Sequence, residues 1–282
     1  MSLMEKEQQL SQLQEQLAQC QDDAARRMQL EHEIKEKQEE MYQDLSAWDR
    51  VYLARHPRRP KAQDYLKRLF HTFYELHGDR CYGDDRAIIG GIAMFEQTPV
   101  TVIAQAKGRD LQENMKRNFG MPNPEGYRKA LRLAKEAEKF HRPVVCFVDT
   151  AGAFCGIAAE ERGQAQAIAE NLYEMMTLKT PILSIFIGEG GSVGALGLAL
   201  ADAVWMLENA VYSVISPEGC ASILWKDSSK VREAAACLRM TAQDLLEFGI
   251  IEKVIPEEQN QFEEVYQSLK AELYEKLSHN AT

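Results

Sequence analysis

Twice in succession the chain runs an apolar strand pattern into glycines and then into a helix pattern, and few folds accommodate that order. "RPVVCFVDT" (142–150) reads as a buried strand followed by the helical "AAEERGQAQAIAENLYEMMTL" (158–178), and "TPILSIFI" (180–187) as another followed by "GSVGALGLALA" (191–201). Upstream, "AIIGGIAMF" and "PVTVIAQA" read as strands and "PEGYRKALRLAKEAEKF" as a helix opened by Pro124 and Glu125. Strand, loop and helix in alternation predict parallel βαβ units, with functional loops at the carboxyl ends of the strands. The glycine-bearing loops 149–156 and 188–194 fall at such ends.

Ahead of this body, Glu5 to about Trp48 is rich in Glu, Gln, Lys and Leu without Gly or Pro, with apolar positions at Leu10, Leu13, Leu17, Cys20, Leu30, Ile34, Met41 and Leu45. That spacing predicts one or two long helices lying on a neighbouring body or subunit. "RHPRRPKAQDY" breaks the pattern. The expected division is residues 1–3 as a cloning remnant, 4–60 as a helical N-terminal extension, 61–257 as the body, and 258–282 as a C-terminal helix and tail.

A chain of 282 residues with 45% hydrophobic side chains can fill a core, and a formal net charge of −10 leaves no global basic field for nucleic acid. The opening "MSLMEKEQQ" has no apolar signal core, and no run reaches the roughly 18 to 20 uncharged residues of a membrane span, so a cytoplasmic protein is expected. The six cysteines form no C-x-x-C pair, which argues against a zinc site and a disulfide framework.

The loop 188–194 admits several chemistries. A phosphate-binding P-loop needs a lysine that the stretch 188–204 lacks, and in a dinucleotide fingerprint begun at Gly188 the third glycine falls on Val193. Gly190–Gly194 matches the G-x-S-x-G of a hydrolase elbow with Ser192 as nucleophile, yet the only downstream histidine is His279, near the C-terminus. Alternatively the backbone acts itself: amides at a helix N-terminus stabilise an oxyanion without any side-chain nucleophile. The same small residues also permit tight helix–strand packing, and the two readings are compatible.

"KGRDLQENMKRNFGMPNPEGYRKALRL", "DTAGAFCGIAAEERGQ", "IGEGGSVGALGLALADAV" and "YSVISPEGCASILWKD", in that order, resemble the carboxyltransferase alpha subunits of bacterial acetyl-CoA carboxylase. The likeness runs from about Ala47 to Pro256. It implies a crotonase-like α/β fold of repeated ββα units with a long helical N-terminal extension. The activity implied is transfer of carboxylate from carboxybiotin to acetyl-CoA, giving malonyl-CoA for fatty acid synthesis. It also implies a heterotetramer of two alpha and two beta subunits, the beta subunit carrying zinc, served by biotin carboxyl carrier protein and biotin carboxylase. A related acyl-CoA carboxyltransferase or decarboxylase is the nearest alternative.

By position in the resembling motifs, the backbone N–H groups of Gly194 and Ala195 are expected to form an oxyanion hole, with Gly190 and Gly191 shaping the turn. Gly152, Ala153, Phe154 and Val193 are expected to line the substrate site. The family's Tyr-Pro after "DTAGA" is Phe154-Cys155 here, and Val193 replaces a glycine. Lys107, Arg109, Lys116, Arg117, Arg128 and Lys129 form a local basic cluster suited to CoA phosphates or an anionic partner, with Arg117 and Arg128 as the substrate-binding candidates. A β-branched residue is uncomfortable at φ > 0, so Val193 is expected to be helical or extended.

Overall fold

The computed structural model describes residues 3–20, 23–257 and 262–279. Helices α1 (Leu3–Gln19) and α2 (Ala24–Met41) lie against each other, α2 opening on Asp23, whose side chain accepts from the Arg26 amide. Their apolar stripe of Leu3, Leu10, Ile34 and Met41 closes over Leu53 of α3 (Ala47–Arg55), so the two long helices dock on the body through a third. Leu3, assigned to the remnant, is buried in this cluster, while Met1 and Ser2 lie outside the described residues.

The stretch read as a pattern break is anchored. Arg59 is buried, donates to the carbonyl of Ile187 and pairs with Glu257 at 2.9 Å. Helix α4 (Ala62–Leu69) follows and packs Tyr65 on Phe147, ring centroids 5.8 Å apart.

The body is one mixed sheet. Strands β1 (Thr72–Glu75), β2 (Ile88–Phe95) and β3 (Thr98–Gln105) pair antiparallel. After α5 (Leu111–Lys116) and α6 (Pro124–Lys139), β4 (Val144–Thr150) joins β3 in parallel. Helices α7 (Ile157–Glu161) and α8 (Gln164–Met175) lead to β5 (Ile182–Gly191), parallel to β4, and α9 (Ser192–Ala199) leads to β6 (Ala203–Leu207). The chain then places β7 (Val211–Ser213), α10 (Pro217–Leu224), α11 (Val231–Leu238), α12 (Ala242–Glu247), β8 (Lys253–Ile255) and α13 (Phe262–His279). The order across the sheet is β1-β2-β3-β4-β5-β6-β8, with β7 beside β5.

The strand, loop and helix alternation predicted parallel units, and β3 to β6 are parallel neighbours. The β2–β3 pair departs from that pattern because only Glu96 and Gln97 link them, with Glu96 at φ 49°, and so short a loop reverses the chain. Strand, strand and α6 thus form a ββα unit, the crotonase-like arrangement the resemblance implied. The second glycine loop also starts later than expected: β5 continues through Gly191 because Glu189, Gly190 and Gly191 pair with Val211, Tyr212 and Ser213 of β7.

Register is not constant along β5. Its first half pairs with β6, from Leu183 opposite Ala203 to Phe186 opposite Met206, and its end with β7. Against β4 the register shifts between Val148, opposite Phe186, and Thr150, opposite Gly190.

Candidate active site

The carboxyl ends of β4 and β5 meet where the two loops were expected to converge. Beyond β4, the Thr150 hydroxyl donates to the Gly152 carbonyl at 2.8 Å and accepts from its amide at 3.1 Å, folding the chain back. Gly152 has φ 150°, Ala153 packs against Tyr127, Ala167 and Ile168, and the Phe154 amide donates to Pro122 at 3.0 Å. Cys155 is an exposed free thiol.

The two segments touch through backbone. A Cβ on Gly191 would lie 2.0 Å from the Ala151 carbonyl oxygen, and one on Gly194 would lie 2.2 Å from the Ala153 nitrogen and 2.4 Å from the Gly152 carbonyl carbon. Neither position admits a side chain, and their glycines let α9 start directly on the loop after β4.

The start of α9 carries the one strained residue of the motif. Ser192, the first residue of α9, stands at φ 52°, whereas Val193 has φ < 0 as expected, so the first turn that Gly191 caps is distorted at Ser192. Gly194 is the third helical residue, whose amide has no acceptor within the helix, and Ala195 the fourth, for whose amide no hydrogen bond to the Gly191 carbonyl forms, unlike the matching Cys220 and Leu245 amides of α10 and α12. At α10 and α12, Ser216 and Thr241 accept from such amides; α9 has no side-chain cap. Gly194 and Ala195 are buried, while Val193 is 52% exposed.

Beneath this turn lies a charged network that sequence patterning did not reveal. Lys107, two residues past β3, reaches Asp149 at 2.8 Å and Glu189 at 3.3 Å; Arg55 of α3 holds Glu189 at 2.7 Å and Glu218 at 2.6 Å. Burial opposes the charge on Lys107, but the two carboxylates outweigh it and raise its pKa. Glu189 lies within β5 and Asp149 within β4, so the network ties together the strands that present the loops.

Arg117 and Arg128, expected to bind substrate, each hold an acid. Arg117 pairs with Glu113 at 2.9 Å and donates to the Arg86 carbonyl; Arg128 pairs with Asp79 at 2.8 Å and donates to the Arg162 carbonyl. Burial of Asp79 is outweighed by Arg128 and the amides of Cys81, Tyr82 and Gly83, which hold its pKa at about 2. Lys129 is buried against Asp84, and Arg109 pairs with Asp64. Of the basic cluster, Lys107, Arg109, Arg117, Arg128 and Lys129 each have an acid a few ångströms away, a relation that counting charge along the chain misses, while Lys116 is exposed.

Among the described residues no hydrogen bond joins the Ser192 hydroxyl to a histidine. Leu277, near the end of α13, shares a cavity with Pro143, Val144, Pro181 and Ile182 at the start of β4 and β5, whereas Ser192 follows the last residue of β5, ten residues or about 33 Å along the strand. The His279 side chain itself lies outside the described residues. Among the described residues, no group of three His, Cys, Asp or Glu side chains could hold a metal ion, and no helix is long and apolar enough to cross a membrane.

Comparison with known proteins is consistent across sequence and structure. The family described as acetyl co-enzyme A carboxylase carboxyltransferase-like matches residues 2–282. The acetyl-coenzyme A carboxylase carboxyl transferase subunit alpha of Clostridium botulinum (strain Alaska E43) is 66% identical over 212 residues, covering 75% of this chain and 77% of that protein. Its counterpart in Ruminiclostridium cellulolyticum is 59% identical over 234 residues, covering 83% and 90%. Among solved structures, a transcarboxylase 12S with hydrolysed methylmalonyl-coenzyme A bound superposes with TM-score 0.62 at 19% identity, covering 83% of this chain and 46% of that one. The beta subunit of Pseudomonas aeruginosa geranyl-CoA carboxylase gives TM-score 0.62 at 13% identity, covering 84% and 45%. This chain thus spans under half the length of those two solved chains, and they share its fold.

Proposed function

Since the chain belongs to the acetyl co-enzyme A carboxylase carboxyltransferase-like family, we propose that it is the alpha subunit of an acetyl-CoA carboxylase carboxyltransferase, transferring carboxylate from carboxybiotin to acetyl-CoA. The observation that carries the mechanism is the uncapped first turn of α9 at the end of β5. The Gly194 and Ala195 amides present N–H groups to negative charge that develops on an oxygen during transfer. Fixed backbone donors neither titrate nor reorganise, and removing one such donor typically costs about 10²–10³ in turnover. Gly190 and Gly191 set the turn, and Gly152, Ala153 and Phe154 form the facing floor.

Carboxybiotin on a carrier protein, when bound, supplies the carboxylate and then a basic ureido group able to take the acetyl methyl proton. An apolar wall at Val193 and Phe154 with neutral donors beside it suits an uncharged ring better than a cationic cluster would. Arg117 and Arg128, already holding carboxylates, support the flanking loops in this reading, leaving CoA phosphates to be neutralised from the partner's side.

The site is composite. Gly191 pairs with Ser213, so Val193 and Val214, both more than half exposed, leave neighbouring strand ends and offer an apolar rim for a beta subunit to cover. In this reading the beta subunit carries the zinc, as the resemblance implies, in an assembly of two alpha and two beta chains served by biotin carboxyl carrier protein and biotin carboxylase in the cytoplasm. The test is carboxyl transfer from malonyl-CoA to free biotin, measured with the chain alone and with its cognate beta subunit. Activity only in the reconstituted complex is expected; robust turnover by the chain alone overturns the composite site. Substituting longer malonyl analogues in the same assay separates this reading from a related acyl-CoA carboxyltransferase.

A further inference from the structure

Two fully buried side chains converge on one carbonyl of the candidate oxyanion hole. Gln105, the last residue of β3, donates from Nε2 to the Gly194 carbonyl at 2.7 Å, and Tyr127 of α6 donates its hydroxyl to the same oxygen at 3.0 Å. That carbonyl has no structural need of them. Gly194 lies in the first turn of α9, where the helical ladder directs its carbonyl to the amide four residues on. Gly197 and Leu198, nearer the helix end where ladder partners run out, take donors from Asn171 and Ser184, as helix termini require.

Gln105 is moreover an awkward choice for stability alone. Its Oε1 is buried without a hydrogen-bond partner among the described residues, a condition an apolar side chain of the same shape would avoid. Tyr127 is admitted by Gly197, where a Cβ would stand 2.8 Å from its ring. Burial drives its phenol far above the ordinary range, so it remains a donor at any working pH.

The Gly194 carbonyl and the Ala195 N–H are two ends of one peptide group. Hydrogen bonds into the carbonyl draw electron density from the nitrogen and make the N–H a stronger, better-oriented donor. We propose that Gln105 and Tyr127 are positioning residues for the Ala195 amide, polarising the Gly194–Ala195 peptide and fixing its plane. This rests on the reading of Ala195 as an oxyanion donor.

The experiment uses Gln105→Met and Tyr127→Phe, each in the full chain reconstituted with its beta subunit. If each donor adds about 10–30% to the strength of a bond whose loss costs about 10²–10³, kcat falls roughly two- to eightfold per variant with KM for malonyl-CoA nearly unchanged. A readout independent of turnover comes from labelling glycine carbonyl carbons and alanine nitrogens. The sequence contains two Gly-Ala pairs, Gly152-Ala153 and Gly194-Ala195, so a carbonyl-to-amide correlation spectrum shows two signals. The Gly194-Ala195 signal is expected to move in both variants while the other stays in place. An unmoved Ala195 amide, or an unchanged kcat with lowered thermal stability, overturns the proposal. Ala195→Pro separates the layers: a folded, active Ala195→Pro enzyme removes the donor reading itself, whereas an inactive one beside indifferent Gln105→Met and Tyr127→Phe removes only the polarisation.

Discussion

Gly194→Ala tests whether the two strand ends form one rigid site. The added Cβ would sit 2.2 Å from the Ala153 nitrogen and 2.4 Å from the Gly152 carbonyl carbon, about 1 Å inside an ordinary contact. Both atoms are backbone, so no side chain can swing aside. The loop after β4 cannot easily retreat, being held by the Thr150 hydroxyl and by the Phe154–Pro122 hydrogen bond. Overpacking of this kind costs about 1–3 kcal/mol, and a displacement near 1 Å at reacting groups costs about 10²-fold in rate. Carboxyl transfer by the reconstituted enzyme should fall by about two orders of magnitude while thermal melting drops several degrees. Ala153→Gly should fail to rescue it, since the collision is not with the Ala153 methyl. Near-normal turnover of Gly194→Ala, or rescue by Ala153→Gly, would refute the close-contact argument.

Ser192→Gly should keep carboxyl transfer and lose little or no stability, because relief of about 1–2 kcal/mol of left-handed strain offsets about 0.5–1 kcal/mol of added chain entropy, while Val193→Gly has only the cost. Thermal melts that reverse this order would misplace the strain. Ser192→Ala should also remain active, and a loss of several orders of magnitude in a folded variant would return the hydroxyl to the chemistry. Arg59→Met leaves Glu257 buried without its partner and should destabilise the chain by about 3–5 kcal/mol in urea titrations; a change under about 1 kcal/mol contradicts the pairing. Asp79 and Asp84 are each held at about 2, against burial, by Arg128 and Lys129 respectively together with backbone amides. Depressed carboxylates stabilise fully above their unfolded pKa near 4 and lose that contribution as pH falls toward 2, so urea midpoints should drop between those values and drop less in Asp79→Asn.

The fold was largely legible because its signals are local: apolar runs of strand length, Pro124 at a helix start, glycines after β4 and within β5. The position of Gly194 and Ala195 on a first helical turn followed from the same pattern. The features that could not be read depend on distance in sequence. Lys107 counted only as one member of a basic cluster, and Glu189 and Arg55 signalled no partner, until the fold brings the three together; the acids beside Arg117 and Arg128 were hidden for the same reason. Gln105 ends a strand and Tyr127 lies in an amphipathic helix, where neither residue signals a target 89 or 67 positions away. Ser192 rather than position 193 carries the positive φ because the turn is set by where β5 stops pairing with β7, which is tertiary information.

The change of register along β5 has a consequence for how such a body can diversify. Up to Phe186 the strand is locked between β4 and β6, where a one-residue slip would turn buried side chains outward. Past the shift it rests on β4's last residue and on the three-residue β7 alone. Irregularities of this type bend a strand and re-aim the segment beyond it. The inner half is therefore a chassis that tolerates little, while the outer fringe is a separately adjustable mount. Side-chain changes at positions such as Val193 can alter the shape of a surface there without asking the interior to refold.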